Sequence, residues 1–219
     1  MYISLHLGFK VSTDPMWTIP ELADTGTQAR ILNAAFRCFA RYGYARTGMT
    51  DIASEAGVSR TALYNNYPGR EDVFRALSQR VNQGVRQAVI GAAATKGDMT
   101  TRLQAVIAAR VSWAFEALHL SEHGHELIDA KNALCGEAGA ATEAQFRALL
   151  TRIITESGVS QSAAASGATV IVKCIPGLIA EQKSEADARA QVAQFVRIFA
   201  AGIAASSAAA KAPSRSRSR

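Results

Sequence analysis

Arg60, Thr61, Tyr64 and Asn65 stand within one six-residue stretch, and each carries a polar group suited to an extended hydrogen-bonding surface. A guanidinium pairs bidentately with a phosphate or with the O6/N7 edge of guanine. Threonine offers a hydroxyl to phosphate and a methyl to thymine. A tyrosine hydroxyl suits the phosphodiester backbone, and an asparagine amide matches adenine. Ser59 precedes this stretch, Asn66 and Arg70 follow it, and Thr47 and Thr50 lie shortly upstream. For Thr47 and Ser59, capping a helix is an equally good use of the hydroxyl. For Arg60 and Thr61 the plain alternative is a solvated surface pair, and for Tyr64 a packing tyrosine.

Such side chains read a partner only if a rigid frame aims them. The surrounding residues supply one. Two helices crossing steeply through a short turn need a small residue at the crossing, a residue tolerant of positive φ in the turn, and apolar anchors on both sides. Ala53, then Gly57, then Ile52, Ala56, Val58 and Leu63 meet those needs at the required spacing. A preceding helix is expected from Thr27, with Ile31, Leu32, Ala35, Phe39 and Ala40 on one stripe and Gly43 at its end. A second is expected over Met49 to Ala56, with Gly48 as N-cap and Asp51 in the first turn. A third starts after Ser59 and stops at Pro68-Gly69.

Those residues carry a resemblance. Ile31-Leu32, Ala35, Phe39-Ala40, Gly43-Tyr44, Thr47, Ile52-Ala53, Gly57-Val58-Ser59, Leu63-Tyr64, Tyr67 and Arg70-Glu71-Asp72 together resemble the TetR/AcrR family of bacterial regulators, over roughly a quarter of the chain. The resemblance implies an all-α homodimer: an N-terminal three-helix helix-turn-helix head that binds DNA, and a C-terminal helical body for ligand binding and dimerisation. It implies a sequence-specific, operator-binding regulator, with repression relieved by a small molecule as the family's usual arrangement. Three departures stand out. Tyr67 replaces the usual Phe, Arg70 the usual Lys, and Asn65-Asn66 the usual aromatic or basic residue followed by His. Arg70 keeps a phosphate-binding charge, whereas the asparagine pair alters sequence preference.

Beyond the head, the pattern is helical throughout. Val73, Leu77, Val81, Val85 and Val89 repeat every four residues to a break at Gly97-Asp98. Further helices are expected at 103–118, 122–136, 140–157, 161–181 and 184–205, with Pro176 kinking or ending the fourth of these. The apolar stretches Val170–Ile179 and Val192–Ile203 read as a four-helix dimer interface or as an intrachain core. Arg110 continues the apolar stripe of Leu103 and Ile107, so it needs a partner: an anionic ligand or an internal carboxylate such as Glu126 or Asp129. Trp113 lines a pocket or packs in the core. His119 and His123 have metal-ligand spacing on a helix, but Gly124 interrupts it and no fourth ligand is identifiable. That cluster, with His125 and Glu126, reads as a polar surface or an interhelical turn, and neither metal nor cofactor is expected.

Composition sets the bounds. The chain has 219 residues, 48% hydrophobic and 7% aromatic, with net charge +6. That is enough for a sizeable helical core. Residues 27–77 carry seven arginines against four acids, and residues 207–219 four basic residues and no acid. The basic excess is a weak footprint for a polyanion. Cys38, Cys135 and Cys174 are widely spaced and odd in number, and read as small buried hydrophobes kept reduced, without disulfides. No uninterrupted apolar run approaches the roughly 18 residues of a membrane span, and residues 1–11 lack the basic start of a secretory signal. The expected organisation is an irregular extension at 1–26, the DNA-binding head at 27–74, the helical body at 75–206 and a basic low-complexity tail at 207–219. The expected partners are double-stranded DNA with a palindromic site, a second copy of the chain and a small-molecule effector, with no membrane. The expected location is the cytoplasm, at the nucleoid. No phosphate loop, nucleophile elbow or spaced carboxylate pair points to an enzyme. The competing reading is an architectural protein that coats DNA without regard to sequence and without a ligand.

Overall fold

The computed structural model describes residues 26–119, 122–180 and 182–211, with the side chains at 113–114, 116–119 and 206–211 outside that description. The expected irregular segment before Gly26 and the end of the basic tail therefore lie outside the described residues. Among those residues the fold is all α, with helices and no strand. They are α1 (Thr27–Tyr42), α2 (Met49–Ala56), α3 (Arg60–Asn66), α4 (Arg70–Ala93), α5 (Met99–His119), α6 (Gly124–Glu156), α7 (Gln161–Ala180) and α8 (Glu185–Lys211).

The described residues fall into two compact units. The first holds the chain up to Gly84 together with Leu118–Ala138; the second holds Val85–Ala117 and the chain from Gly139 onward. The division falls inside α4, at the end of α5 and inside α6, so each of these helices has residues in both units.

In the first unit α1 buries Ile31, Leu32, Ala35 and Phe39, the stripe that its spacing demands. Phe39, Tyr44 and Phe74 form an aromatic triad with ring centroids 5.7, 5.3 and 4.9 Å apart. Ile52 and Leu63, both fully buried, fasten α2 and α3 to this core. Each buried side chain of that size contributes about 1.5–3 kcal/mol relative to exposure.

In the second unit the core is aliphatic. Leu103, Ile107 and Val111 of α5, Leu150, Ile153 and Ile154 of α6, Ile171 of α7 and Val196 of α8 are buried. Gly167 permits α7 and α8 to pack closely, since a Cβ there would stand 2.8 Å from Phe199 Cζ. Val170 and Ile198 remain exposed on these two helices.

Several boundaries differ from the sequence expectation. The pair of helices expected at 122–136 and 140–157 is one element, α6, interrupted only where Cys135 leaves helical geometry (φ −128°, ψ 21°). Gly136 and Gly139 are read naturally as breakers, yet both stay helical. Pro176 does not end its helix, because α7 continues to Ala180. The proline lies on the exposed face, where a carbonyl deprived of its partner can turn to water. Chain 207–211, assigned to the tail, continues α8. α7 also meets the length and hydropathy of a membrane span, with mean hydropathy 1.6 over an 18-residue window. Scanning for unbroken apolar runs missed it because Ser, Gly, Thr and Lys interrupt the sequence. Its buried residues, Ala164, Gly167, Ala168, Ile171, Ile175 and Ile179, form the stripe of a core helix.

Candidate nucleic-acid interface

The two short helices are framed by local chemistry. Asp51 accepts the Gly48 N–H at 2.8 Å, satisfying one donor at the start of α2. Gly57 ends α2 in the left-handed region (φ 62°, ψ 39°), which costs a residue with a side chain about 1–2 kcal/mol. The Val58 N–H then returns to the Ala53 carbonyl at 3.1 Å. Ser59 caps α3 by accepting the Ala62 N–H at 3.0 Å. Its hydroxyl is thus used as a cap, one of the two roles open to it in the sequence. Ala53 is buried at the crossing and Leu63 is the inward anchor of α3.

With Leu63 inward, the other face of α3 points out. Arg60, Thr61, Tyr64 and Asn65 are all exposed, and so is Thr50 on α2. Tyr64 is 51% exposed. Arg60 Nη2 donates to Thr50 Oγ1, joining the exposed faces of α2 and α3. Asn66 is not free in the same way. It is half-buried, and its Nδ2 donates to the Ala62 carbonyl at 2.8 Å.

Thr47 and Arg70 sit differently from the α3 residues. Thr47 is fully buried, and its hydroxyl donates to the Gly43 carbonyl at 2.7 Å. That side chain closes the turn between α1 and α2 and does not face solvent. Neither is it the cap of α2, which is Gly48. Arg70 Nη1 donates to the carbonyls of Ala45 (2.8 Å) and Thr47 (3.1 Å), and the guanidinium lies 4.4 Å over the Tyr44 ring. Arg70 therefore braces the same turn while remaining partly exposed.

Sequence reasoning missed three residues that hold this frame. Arg30 of α1 donates to the carbonyls of Ala56 and Gly57, each at 2.8 Å. Arg37 pairs with Glu55 at 2.6 Å, fixing α1 to α2. Glu126, from the start of α6, accepts the Ala45 N–H at 2.7 Å. None of these has a local signal, because each pairs with a residue at least 18 positions away.

Of the candidates in the second unit, Trp113 lies outside the described side chains. Arg110 is described. Its guanidinium stacks 4.9 Å over the Phe146 ring. Burial pushes its pKa down, opposed by the charge of Glu143. Among the described residues no carboxylate lies at ion-pair distance from it. The carboxylates considered from sequence, Glu126 and Asp129, belong to the other unit.

These features define a helix-turn-helix protein with an all-α body. Residues 31–77 match the family model for bacterial regulatory proteins of the tetR family. The chain is 30% identical over 141 residues to the HTH-type transcriptional activator FasR of Mycolicibacterium smegmatis, covering 60% of this chain and 61% of that protein. It is 36% identical over 81 residues to the HTH-type transcriptional repressor LfrR of the same organism, covering 37% and 42% respectively. The matched region is thus about three-fifths of the length of the first relative and less than half of the second. In fold it is similar to a transcriptional regulator of the TetR/AcrR family from Thermobifida fusca, with TM-score 0.63 and 15% identity, covering 77% of this chain and 95% of that one. Through residues 31–77 the chain is thus similar to regulators of the tetR family.

Proposed function

We propose that this protein is a sequence-specific DNA-binding transcriptional regulator that acts as a homodimer on a palindromic operator. The observation that carries this reading is the outward face of α3. Arg60, Thr61, Tyr64 and Asn65 are exposed together on a short helix whose other face is anchored by the fully buried Leu63. A helix held that way presents base-reading and phosphate-binding groups to a major groove. In this reading Arg60 contacts guanine or phosphate, and Thr61 contacts phosphate or a thymine methyl. Tyr64 and Thr50 contact phosphate, and Asn65 reads adenine. Thr47, Ser59, Asn66 and Arg70 shape the surface, with Arg70 also near enough to the exterior to meet phosphate.

The exposed Val170 and Ile198 on α7 and α8 are the kind of apolar surface that a second copy would cover,. Two-fold symmetry implies two inverted half-sites, separated by one helical turn or a multiple of it. The partly buried Arg110, stacked on Phe146 without an ion-pair partner among the described residues, supports a small anionic effector in the second unit. Relatives are named both as activator and as repressor; release of a repressor by its effector is the arrangement proposed here, in the cytoplasm at the nucleoid.

The test is a binding-site selection from a random duplex library with the full-length protein, followed by affinity measurements across salt concentrations. A recovered palindrome, bound with affinity that falls linearly on a log–log salt plot, supports the reading. Recovery of no consensus, with equal affinity for every duplex, returns the protein to the architectural class.

A further inference from the structure

We propose that Glu126 of α6 is a positioning residue for DNA reading: it sets the turn from which α2 and α3 are aimed. The inference rests on the DNA-binding reading above and adds α6 to the apparatus.

The turn between α1 and α2 is held at one residue from two sides. Glu126 Oε1 accepts the Ala45 N–H at 2.7 Å, while Arg70 Nη1 donates to the Ala45 carbonyl at 2.8 Å. The carboxylate comes from α6 and the guanidinium from α4, so neither α1 nor α2 fixes this peptide by itself. Gly43 makes room for the arrangement. The Glu126 carboxylate lies against Gly43, where a Cβ would stand 2.3 Å from Oε2 and would push that flexible side chain aside. The requirement for glycine itself comes from its φ of +80°,. His123, the residue just before α6, places its Nδ1 3.6 Å from Glu126 Oε2.

From Ala45 the effect runs into the reading surface by short steps. Thr47 closes the turn onto Gly43, Gly48 starts α2, and Thr50 on that helix receives the Arg60 guanidinium. Tilting the turn tilts α2, and with it the residue that holds Arg60. Glu126 is itself partly exposed, with 39% of its side-chain surface accessible. The Ala45 amide is exposed and can turn to water when the carboxylate is removed, so the bond adds little to folding stability,. Its geometry, a charge-assisted bond to one backbone amide, adds direction instead.

The experiment uses the full-length protein, its selected duplex and a scrambled duplex of equal length. Glu126→Ala should weaken binding to the selected duplex by about tenfold, leaving affinity for the scrambled duplex and the melting temperature nearly unchanged. Glu126→Gln, whose amide oxygen can still accept the Ala45 N–H, should restore most of the loss. Amide exchange at Ala45 should quicken in Glu126→Ala and not in Glu126→Gln. An equal loss on both duplexes, a fall in melting temperature that accounts for the loss, or wild-type discrimination in Glu126→Ala overturns the proposal. If the wild type selects no site, the DNA-reading assignment itself fails. Exchange at Ala45 then still decides whether Glu126 holds the turn.

Discussion

Arg30 reaches from the first turn of α1 to the carbonyl of Gly57, 27 positions away, at 2.8 Å. The same nitrogen also takes the Ala56 carbonyl. A helix C-terminus leaves carbonyls without partners and carries partial negative charge. A guanidinium there satisfies both needs and fixes the angle between α1 and the turn before α3. Arg30→Ala should cost about 1 kcal/mol of stability, read as a lower midpoint in urea denaturation. Arg30→Lys should recover only part of it, because an ammonium on a flexible stem lacks the planar fork. No change in midpoint would remove Arg30 from the frame.

Thr47 and Tyr64 should separate cleanly when changed. The Thr47 hydroxyl is buried and serves the Gly43 carbonyl, so Thr47→Val should lower stability by about 1–2 kcal/mol without changing the salt dependence of DNA binding. Tyr64 is exposed, so Tyr64→Phe should leave stability within about 0.5 kcal/mol and weaken binding to all sequences alike. Denaturation and salt titration of the two variants, side by side, check both statements. Arg60→Ala should instead relax preference at particular base positions, at a cost of about 1–3 kcal/mol on the best site.

Cys38 is buried in α1 and its thiol pKa is pushed up to about 11, by burial first and then by the charges of Glu55 and Asp51. The folded protein therefore holds this proton more tightly than the unfolded chain, whose thiol titrates near 9. Stability from this group is complete below about pH 9 and is lost as pH rises toward about 11. Cys38→Ala should flatten that alkaline decline, measured as denaturation midpoints from pH 8 to 10.5. In the native protein at pH 8, a thiol reagent should label the partly exposed Cys135 and Cys174 ahead of Cys38,.

Arg110 offers a test of the second unit. A partly buried guanidinium whose described neighbours include no ion-pair partner is costly to desolvate. Arg110→Met keeps an unbranched apolar side chain beside Phe146 and removes the charge, together with its stacking contact on the ring. Without any anionic ligand the variant should be as stable as the wild type, or more stable by about 1–2 kcal/mol. A loss of stability well beyond the roughly 0.5–2 kcal/mol of the Phe146 contact would mean that an internal acceptor uses the charge, and the effector assignment would fall with it.

The head was legible because its requirements are local. Gly57 must accept a positive φ, Ser59 must cap within three residues, and Leu63 must face inward on a seven-residue helix. Each requirement constrains neighbours in sequence. The braces were not legible, because Glu126 meets Ala45 across 81 positions and Arg75 meets the Leu134 carbonyl across 59. The spacing around His123 and Glu126 suggests no more than a polar surface or a turn between helices. Glu126 in fact meets Ala45 and His123 meets Arg46, both in the α1–α2 turn, a use that no spacing rule encodes. The break in α6 was misplaced for a related reason. Gly136 and Gly139 invite a break by propensity, yet the backbone departs at Cys135, beside the carbonyl taken by Arg75. Tertiary context overrides a weak local prior there.

The Ala45–Glu126 bond has a practical corollary for moving this head between proteins. The unit that presents α3 is assembled from two separated pieces of chain, one ending at Gly84 and one spanning Leu118–Ala138. Cutting out the first piece and grafting it onto a foreign body would deliver the reading helix without the carboxylate that steadies its turn. A hybrid that keeps its native specificity must therefore carry the start of α6 along with the head, or its recipient must provide an acceptor at the same place. Exchange between relatives of this chain should thus favour crossover points that preserve both pieces together.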